Sequence, residues 1–172
     1  MRFRNSISAL ALVAAMFLPN AAAADAGDKA VANLQNEDGE SVGTVELEQT
    51  LHGTLLHVQL DNLPAGTHAF HVHETGKCEP PFTSAGGHFN PRNAKHGYRA
   101  VGGPHAGDFP NIHVPENGKL EVEYYNHLLI TDQLFDEDGS AVVIHKGPDD
   151  YETDPAGAAG VRIACGVIER TE

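Results

Sequence analysis

The segment Phe70-His71-Val72-His73 is the part of the sequence on which the rest of the interpretation depends. Apolar and polar residues alternate in it, as in a strand, and a strand places residues i and i+2 on the same side. His71 and His73 therefore point together, while Phe70 and Val72 point into a core on the opposite side. Two adjacent imidazoles predict a metal site, because imidazole suits copper and zinc.

Further candidate ligands follow this strand. A single His-x-His pair is weak evidence, because 11 histidines in 172 residues would give roughly 0.7 such pairs by chance. The later candidates include Asp108, three residues after His105, and an aspartate oxygen is a ligand that tetrahedral zinc accepts. Two four-coordinate metal ions need eight ligand positions, one more than the seven candidate residues supply. The seven residues are sufficient if one deprotonated imidazole bridges both ions. The seven candidates are His71, His73, His88, His96, His105, Asp108 and His145.

Short β-rich stretches recur along the chain with turn residues between them. The turns are rich in Asn, Asp, Gly and Pro, and we find no helix-length periodic segment after residue 24 and no internal repeat. This pattern predicts an all-β fold, an antiparallel β-sandwich or flattened barrel. The predicted strands are 29–35, 42–48, 51–60, 67–73, 119–124, 140–145 and 161–168.

Two stretches do not have the pattern of a sheet. Residues 75–112 are rich in Gly, Pro, Asn and His, and loops of this length are usually functional or disordered. A zinc ion and a disulfide would order this loop. Residues 146–160 lie between His145 and Arg162, so we expect this second loop to form a wall of the metal site.

The N-terminus has the basic, apolar, small-residue order of a secretory signal peptide. We expect residues 1–24 to be removed and residues 25–172 to form one domain, with an N-terminal core helix as the alternative. The apolar run is too short to span a membrane. Removal of Arg2 and Arg4, with no acidic residue in this segment, changes the formal net charge from −13 to −15.

The chain has two cysteines, Cys78 and Cys165, which allow only one disulfide. Export and an even count favour their pairing, because disulfides persist in oxidising compartments. Two buried free thiols are the alternative. The bond would tie the loop after the His71 strand to the strand that carries Arg162.

Taken together, these residues resemble the copper/zinc superoxide dismutases, from about Lys29 to Glu169. A sandwich of Greek-key type is the fold that this resemblance implies. It also implies one copper on His71, His73, His88 and His145, and one zinc on His88, His96, His105 and Asp108, with His88 as the bridge. The matching pieces are Ala69-Phe70-His71-Val72-His73-Glu74, Gly87-His88-Phe89-Asn90-Pro91, His105-Ala106-Gly107-Asp108, Val142-Val143-Ile144-His145 and Arg162-Ile163-Ala164-Cys165-Gly166-Val167-Ile168.

The resemblance also implies roles for residues that bind no metal. Arg162, three residues before Cys165, would attract the anionic substrate, since a planar guanidinium suits a small anion. Asp149 rather than Asp150 would link His71 to His96, and Lys146 is a second candidate cation. Five other histidines are expected to be surface groups or structural hydrogen bonders. They are His52, His57, His68, His113 and His127.

The implied reaction is dismutation of superoxide by a redox-cycling copper, with His88 also carrying a proton to the departing peroxide. Ala156 stands where animal enzymes have a threonine, which favours a bacterial, periplasmic protein. We expect superoxide as the partner, and neither nucleic acid nor a membrane. The sequence does not decide whether the protein is a homodimer, because family members form both dimers and monomers. The alternatives are an exported metal-delivery protein, which would lack the arginine, and a non-catalytic adhesion sandwich, which would lack the ligands.

Overall fold

The computed structural model describes residues 27–171, so the predicted signal peptide lies outside the described residues. Within them the chain forms nine strands, two short 3-10 helices (Thr83–Ala85 and Thr131–Leu134) and no α-helix. No helix in this part of the chain is long and apolar enough to cross a membrane. The strands are β1 Lys29–Gln35, β2 Ser41–Thr50, β3 Gly53–Leu60, β4 Gly66–His68, β5 Phe70–His73, β6 Ile112–Val114, β7 Leu120–Asn126, β8 Ala141–His145 and β9 Arg162–Arg170.

Seven strands form one curled antiparallel sheet in the order β5-β8-β9-β1-β2-β3-β7, and β4 pairs with β6 as a separate antiparallel ribbon. After β3 the chain crosses to the far edge, where β5 joins β8. It then returns through β6 and places β7 beside β3. Such a long return connection is a Greek-key feature. The predicted all-β antiparallel fold is confirmed.

The main core lies on the inner face of this sheet. Every second residue is buried along β1, along β2 from Val45 to Gln49 and along β3 from Thr54 to Leu60, as the alternating sequence predicts. Phe70 and Val72 of β5 join the same core, so His71 and His73 must project from the other face. The central side chains include Leu34, Val45, Leu47, Leu56, Val58, Phe70, Val72 and Ile144.

Strand β8 is buried on both faces, which explains its unbroken apolar sequence. Val142 and Ile144 face the main core. Ala141 and Val143 face a second apolar cluster on the outside of the sheet, which contains Phe82 of the long loop. This loop therefore covers the outer face where β5, β8 and β9 lie together.

The ends of β2, β7, β8 and β9 differ from the predicted ends by one or two residues, and three further differences have a structural cause or concern a whole strand. The predicted strand 67–73 divides at Ala69 into β4 and β5, because its two halves pair with different partners, β6 and β8. Strand β3 begins at Gly53 rather than at residue 51, since the Thr50 hydroxyl donates to the Gly53 carbonyl at 2.8 Å and closes a turn. The short strand β6 lies at the end of a stretch that the sequence indicated as a loop.

Cys78 and Cys165 form the predicted disulfide, which joins residues 87 positions apart and ties the long loop to β9. For a loop of this length the chain-entropy model gives about 4 to 5 kcal/mol as an upper estimate. We therefore expect Cys78→Ser to lower the free energy of unfolding by roughly 2 to 5 kcal/mol in urea titrations. Thiol titration of the unreduced, denatured parent protein is the control. Two reactive thiols in it would contradict the bond.

Candidate metal centre

The candidate site lies outside the sheet, where the end of β8 meets β5 and both long loops. Strand β5 carries His71 and His73, and β8 ends at His145. Isolated backbone bridges join His71 to Asp108 and His73 to His88, so the first loop runs directly over β5. Gly107 permits this approach, because a Cβ there would lie 2.2 Å from the Val72 carbonyl oxygen.

Four imidazoles form what we call the histidine cluster, His71, His73, His88 and His145. Each can offer one nitrogen, and these nitrogens lie within 4.8 Å of one another. On three of these rings, one nitrogen already donates to an acceptor. Nδ1 of His73 donates to the Gly86 carbonyl at 3.0 Å, and Nδ1 of His145 donates to the Gly160 carbonyl at 3.0 Å. Nε2 of His71 donates to an Asp149 carboxylate oxygen at 2.8 Å. Carbonyl and carboxylate oxygens only accept, so these contacts fix the tautomers and leave the other nitrogen available.

The remaining nitrogens of this cluster have no hydrogen-bond partner among residues 27–171. They are Nδ1 of His71 and Nε2 of His73, His88 and His145. All four rings are 5% exposed or less, and an unsatisfied buried polar atom costs about 1 to 3 kcal/mol. Four such atoms facing one another are explained by a bound cation, and an all-imidazole set suits copper.

A second group, which we call the carboxylate cluster, contains His88, His96, His105 and Asp108. Asp108 Oδ1 lies 2.8 Å from Nδ1 of His88, 3.2 Å from Nδ1 of His96 and 3.4 Å from Nδ1 of His105. A tetrahedron with zinc–ligand distances of about 2.0 to 2.1 Å has edges of roughly 3.3 Å. The donor set and its spacing therefore fit zinc. His88 belongs to both clusters, with one ring nitrogen facing each.

The other Asp108 oxygen holds the first loop in place. Oδ2 accepts the backbone N–H of His105 and of Gly97, each at 2.9 Å. Burial alone would raise the pKa of Asp108, but the nearby ring nitrogen of His105 and hydrogen bonds from His88 and His96 hold this pKa well below its usual range. Asp108 is therefore a carboxylate at neutral pH.

Asp149 joins the two clusters from outside. Its Oδ2 accepts from Nε2 of His71 at 2.8 Å and its Oδ1 from Nε2 of His96 at 3.0 Å. Because these groups bond to one another, we interpret the trio as a link rather than a third metal site. Asp150, the weaker candidate, is exposed and accepts the backbone N–H groups of Glu152 and Thr153 in a turn.

Burial and the two carboxylates divide the histidines into two electrostatic groups. Burial lowers the pKa of His71 to about 3 and that of His145 to about 4, and it also lowers those of His73 and His88. Burial opposes the charge on His96 as well, but hydrogen bonds to Asp108 and Asp149 raise its pKa to about 9. The histidine cluster is therefore neutral at pH 7, as metal binding requires.

Arg162 lies at the start of β9 beside the histidine cluster. Its guanidinium donates to the carbonyls of Phe82 (2.5 Å) and Gly86 (2.6 Å), and the Gly86 oxygen is the one that also anchors His73. The positive charge of Arg162 contributes to lowering the pKa of His73 and of His145. The structure thus brings Arg162, Asp149 and all seven candidate ligands together.

The five remaining histidines lie outside both clusters. His68 is buried and contacts the carbonyls of Pro64, His145 and Lys146 at 2.9 to 3.0 Å, and His113 pairs with the Thr67 hydroxyl. His52 and His127 are exposed. His57 is only partly exposed and lies within 4 Å of two surface glutamates.

Two residues near the site, Asn111 and Tyr151, were not predicted. The Asn111 side chain accepts the backbone N–H of Asp149 at 2.8 Å and donates to its carbonyl at 2.9 Å. The Tyr151 backbone N–H donates to Asp149 Oδ1 at 2.6 Å. Both residues lie in irregular loops where no periodicity or ligand spacing distinguishes them, so only the folded arrangement identifies them.

Comparison with known proteins agrees with this geometry. The family model of copper/zinc superoxide dismutase (SODC) matches residues 41–168. Cu-Zn superoxide dismutase 1 of Aquifex aeolicus is 50% identical over 148 residues, which cover 82% of this chain and 88% of that protein. The Cu-Zn enzyme of Caulobacter vibrioides is 39% identical over 148 residues, covering 81% of this chain and 85% of its own.

Two solved structures have the same fold. A double mutant of a superoxide dismutase-like protein from Bacillus subtilis has a TM-score of 0.73 at 41% identity, covering 80% of this chain and 95% of its own. The Cu/Zn superoxide dismutase of Brucella abortus has a TM-score of 0.69 at 29% identity, covering 82% of this chain and 99% of its own. With the family pattern spanning most of the sequence, this chain belongs to the copper/zinc superoxide dismutase family.

Proposed function

We propose that this chain dismutates superoxide with one copper and one zinc per subunit, held by the two clusters. The observation that supports the proposal is the convergence of four buried, unpartnered imidazole nitrogens beside a guanidinium. Copper would be held by His71 Nδ1 and by Nε2 of His73, His88 and His145. Zinc would be held by Nδ1 of His88, His96 and His105 and by an Asp108 oxygen.

The reaction converts two superoxide anions and two protons into one oxygen molecule and one hydrogen peroxide molecule. A bound copper supplies the one-electron oxidation and reduction, whereas zinc, which has no redox chemistry, completes a closed structural site. The chain itself must bind the anion, orient the imidazoles and deliver protons.

His88 is the residue best placed to deliver a proton. Its Nδ1 is directed at Asp108 Oδ1, and its Nε2 is directed into the histidine cluster. The ring is 5% exposed, so a proton taken up at Nε2, when this nitrogen is free of the metal, would be shielded from bulk solvent and available to the peroxide product. We therefore assign His88 both a ligand role and a proton-carrying role.

Arg162 is the residue that attracts the substrate anion. Both of its hydrogen bonds go to neutral carbonyl oxygens, and within residues 27–171 no carboxylate forms an ion pair with it. The residue is partly exposed, and a planar guanidinium suits a small anion. Lys146 is exposed and follows His145 directly, and it is the second candidate.

A metal-delivery protein is the alternative function. Such a protein must release its ion to a partner, which favours exposed ligands and needs no cation for a substrate. Here all seven ligands are between 0% and 5% exposed, and Arg162 is fixed beside the histidine cluster. These two observations favour catalysis over delivery, and an adhesion sandwich would need neither of them.

We infer that the protein acts in the periplasm after removal of residues 1–24, which leaves the domain 25–172. The order of basic, apolar and small residues in the first 24 positions supports this inference. The Cys78–Cys165 disulfide also supports it, because such bonds persist in oxidising compartments.

The shared role of His88 is tested by metal content. We expect His88→Ala to weaken both metals, because it removes one nitrogen from each cluster, whereas His73→Ala should lose copper and retain zinc. Metal analysis after dialysis against a weak chelator measures both. His127→Ala, an exposed histidine outside the clusters, is the control. Full occupancy of both metals in His88→Ala would show that His88 is not shared.

The lowered histidine pKa values predict how the stability of the metal-stripped protein depends on pH. His71 and His145 stay neutral in the fold down to about pH 3 and about pH 4, whereas an unfolded histidine takes a proton near pH 6.5. The unfolded state therefore binds more protons below pH 6.5, and stability falls as pH falls. We expect a loss on the order of 2 kcal/mol for each of these histidines at about pH 5.

Urea unfolding of the metal-stripped protein at pH 7, 6 and 5 measures this loss. His96 does not add to this loss, since a raised pKa of about 9 gives a stabilisation that is complete below pH 6.5 and declines as pH rises from there through about 9. His145→Asn should reduce the pH dependence, whereas His127→Asn should leave it unchanged. A flat stability profile from pH 7 to pH 5 would contradict the prediction.

The role of Arg162 is tested by kinetics. We expect Arg162→Ala to keep both metals and to lower kcat/KM about tenfold, and Arg162→Glu to lower it further by repelling the anion. Arg170→Ala is the matched control, because it removes the same charge from the same strand where Arg170 pairs with Asp28 and Asp132. The parent rate should fall with added salt. Parent-like kinetics in both Arg162 variants would place anion capture elsewhere, with Lys146 the next residue to test.

A further inference from the structure

Tyr151 has a left-handed backbone conformation, with φ of 64°. For a bulky side chain this is a genuine outlier that carries backbone strain. Such strain persists only where the surroundings hold it, and it concentrates at functional sites. Tyr151 lies two residues after Asp149, the carboxylate that joins the two clusters.

Contacts from the first loop hold Tyr151 in this conformation. Its hydroxyl accepts the backbone N–H of Asn111 at 2.8 Å, and its ring lies 5.7 Å from the ring of Tyr98. The Arg99 guanidinium lies 5.6 Å from the centre of the Tyr151 ring. The backbone N–H of Arg99 donates to the Tyr151 carbonyl at 3.0 Å. A Cβ at Gly97 would lie 2.1 Å from that carbonyl oxygen, so the approach of the two loops requires glycine there.

This conformation directs the Tyr151 backbone N–H at Asp149. The N–H donates to Oδ1 at 2.6 Å, and the same oxygen accepts from Nε2 of His96. The other oxygen accepts from Nε2 of His71. Three donors from three segments thus fix one carboxylate, and the Tyr151 donor is the one that touches neither cluster.

Asn111 ties the two ends of this arrangement together. Its backbone N–H bonds to the Tyr151 hydroxyl, and its side-chain amide pairs with both backbone groups of Asp149. The ring of Tyr151 and the backbone of Asp149 are therefore held by the same residue. A displacement of the ring would be transmitted to the carboxylate by two routes.

We propose that Tyr151 is a positioning residue that locks Asp149 across His71 and His96, and thereby couples metal binding in one cluster to metal binding in the other. The inference rests on the proposed ligand sets and adds a residue that touches neither metal. Partners that orient metal-binding histidines typically contribute 10- to 100-fold to metal affinity. We therefore expect zinc in the carboxylate cluster to strengthen copper binding in the parent protein.

Two variants separate the tyrosine ring from the backbone strain. Tyr151→Phe removes the hydroxyl that anchors the ring to Asn111. Tyr151→Gly adopts positive φ without strain and removes every ring contact. Tyr125→Phe is the control, because this exposed tyrosine on β7 also loses a hydroxyl contact, to the His52 carbonyl, away from both clusters.

The first measurement uses metal-stripped protein, in which NMR follows exchange of the Nε2–H protons of His71 and His96. We expect slow exchange in the parent and in Tyr125→Phe, and at least tenfold faster exchange in the Tyr151 variants. The second measurement is zinc affinity, which should fall on the order of tenfold in the variants, together with a loss of the effect of zinc on copper affinity.

Faster exchange in either folded Tyr151 variant supports the proposal, and parent-like exchange in both overturns it. If Tyr151→Phe fails to fold, the exchange rate in the unstrained Tyr151→Gly variant is the test of the proposal. Equal copper affinity with and without zinc in the parent would overturn the coupling. If the parent protein binds neither metal, the proposed function is refuted. If exchange is nevertheless faster in the Tyr151 variants, the positioning of Asp149 by Tyr151 is still supported.

Discussion

The structure depends most on the burial of imidazole nitrogens that face one another without hydrogen-bond partners. Within residues 27–171 five such nitrogens occur, four in the histidine cluster and Nδ1 of His105 in the carboxylate cluster. Burying these atoms costs free energy, and burial lowers the pKa of most of the rings. The same burial keeps the rings neutral, so their nitrogens present lone pairs that a metal can bind. Affinity for metal and instability without it therefore have one physical origin.

The scaffold keeps these rings in place through their opposite nitrogens. Gly86, Gly160 and Asp149 each take one N–H from a ring of the histidine cluster, and the first two do so with backbone carbonyls. A backbone carbonyl can orient a histidine ring only if the loop that carries the carbonyl is itself held in place. The disulfide and the apolar cluster around Phe82 fix the first loop against β8 and β9, and the contacts of Tyr151 fix the second against the first.

Periodicity was sufficient to predict the sheet, and the family resemblance implied how the ligands divide into two clusters, but neither indicated the contacts between loops. Strand β1 agrees with the prediction at both ends, because its alternation is complete. The division of 67–73 into β4 and β5 was not predictable, since both halves have strand sequences and only tertiary pairing separates them. Asn111 and Tyr151 were missed for a related reason. Asn111 contacts the backbone of Asp149, Tyr151 contacts the Asp149 carboxylate through its own backbone N–H, and a backbone group has no sequence signature.

The distribution of charge explains how a strongly acidic protein can attract an anion. Five of the nine lysines and arginines in residues 27–171 lie within 4 Å of a carboxylate oxygen, which cancels much of their field. Arg162 instead donates to two carbonyls, which orient its guanidinium without neutralising it. Charges separated by more than roughly 10 Å are screened at about 0.1 M salt, so the acidic surface matters less near the site than one unpaired cation. The choice of carbonyl over carboxylate partners for Arg162 therefore leaves its charge available for the anion-attracting role that we propose.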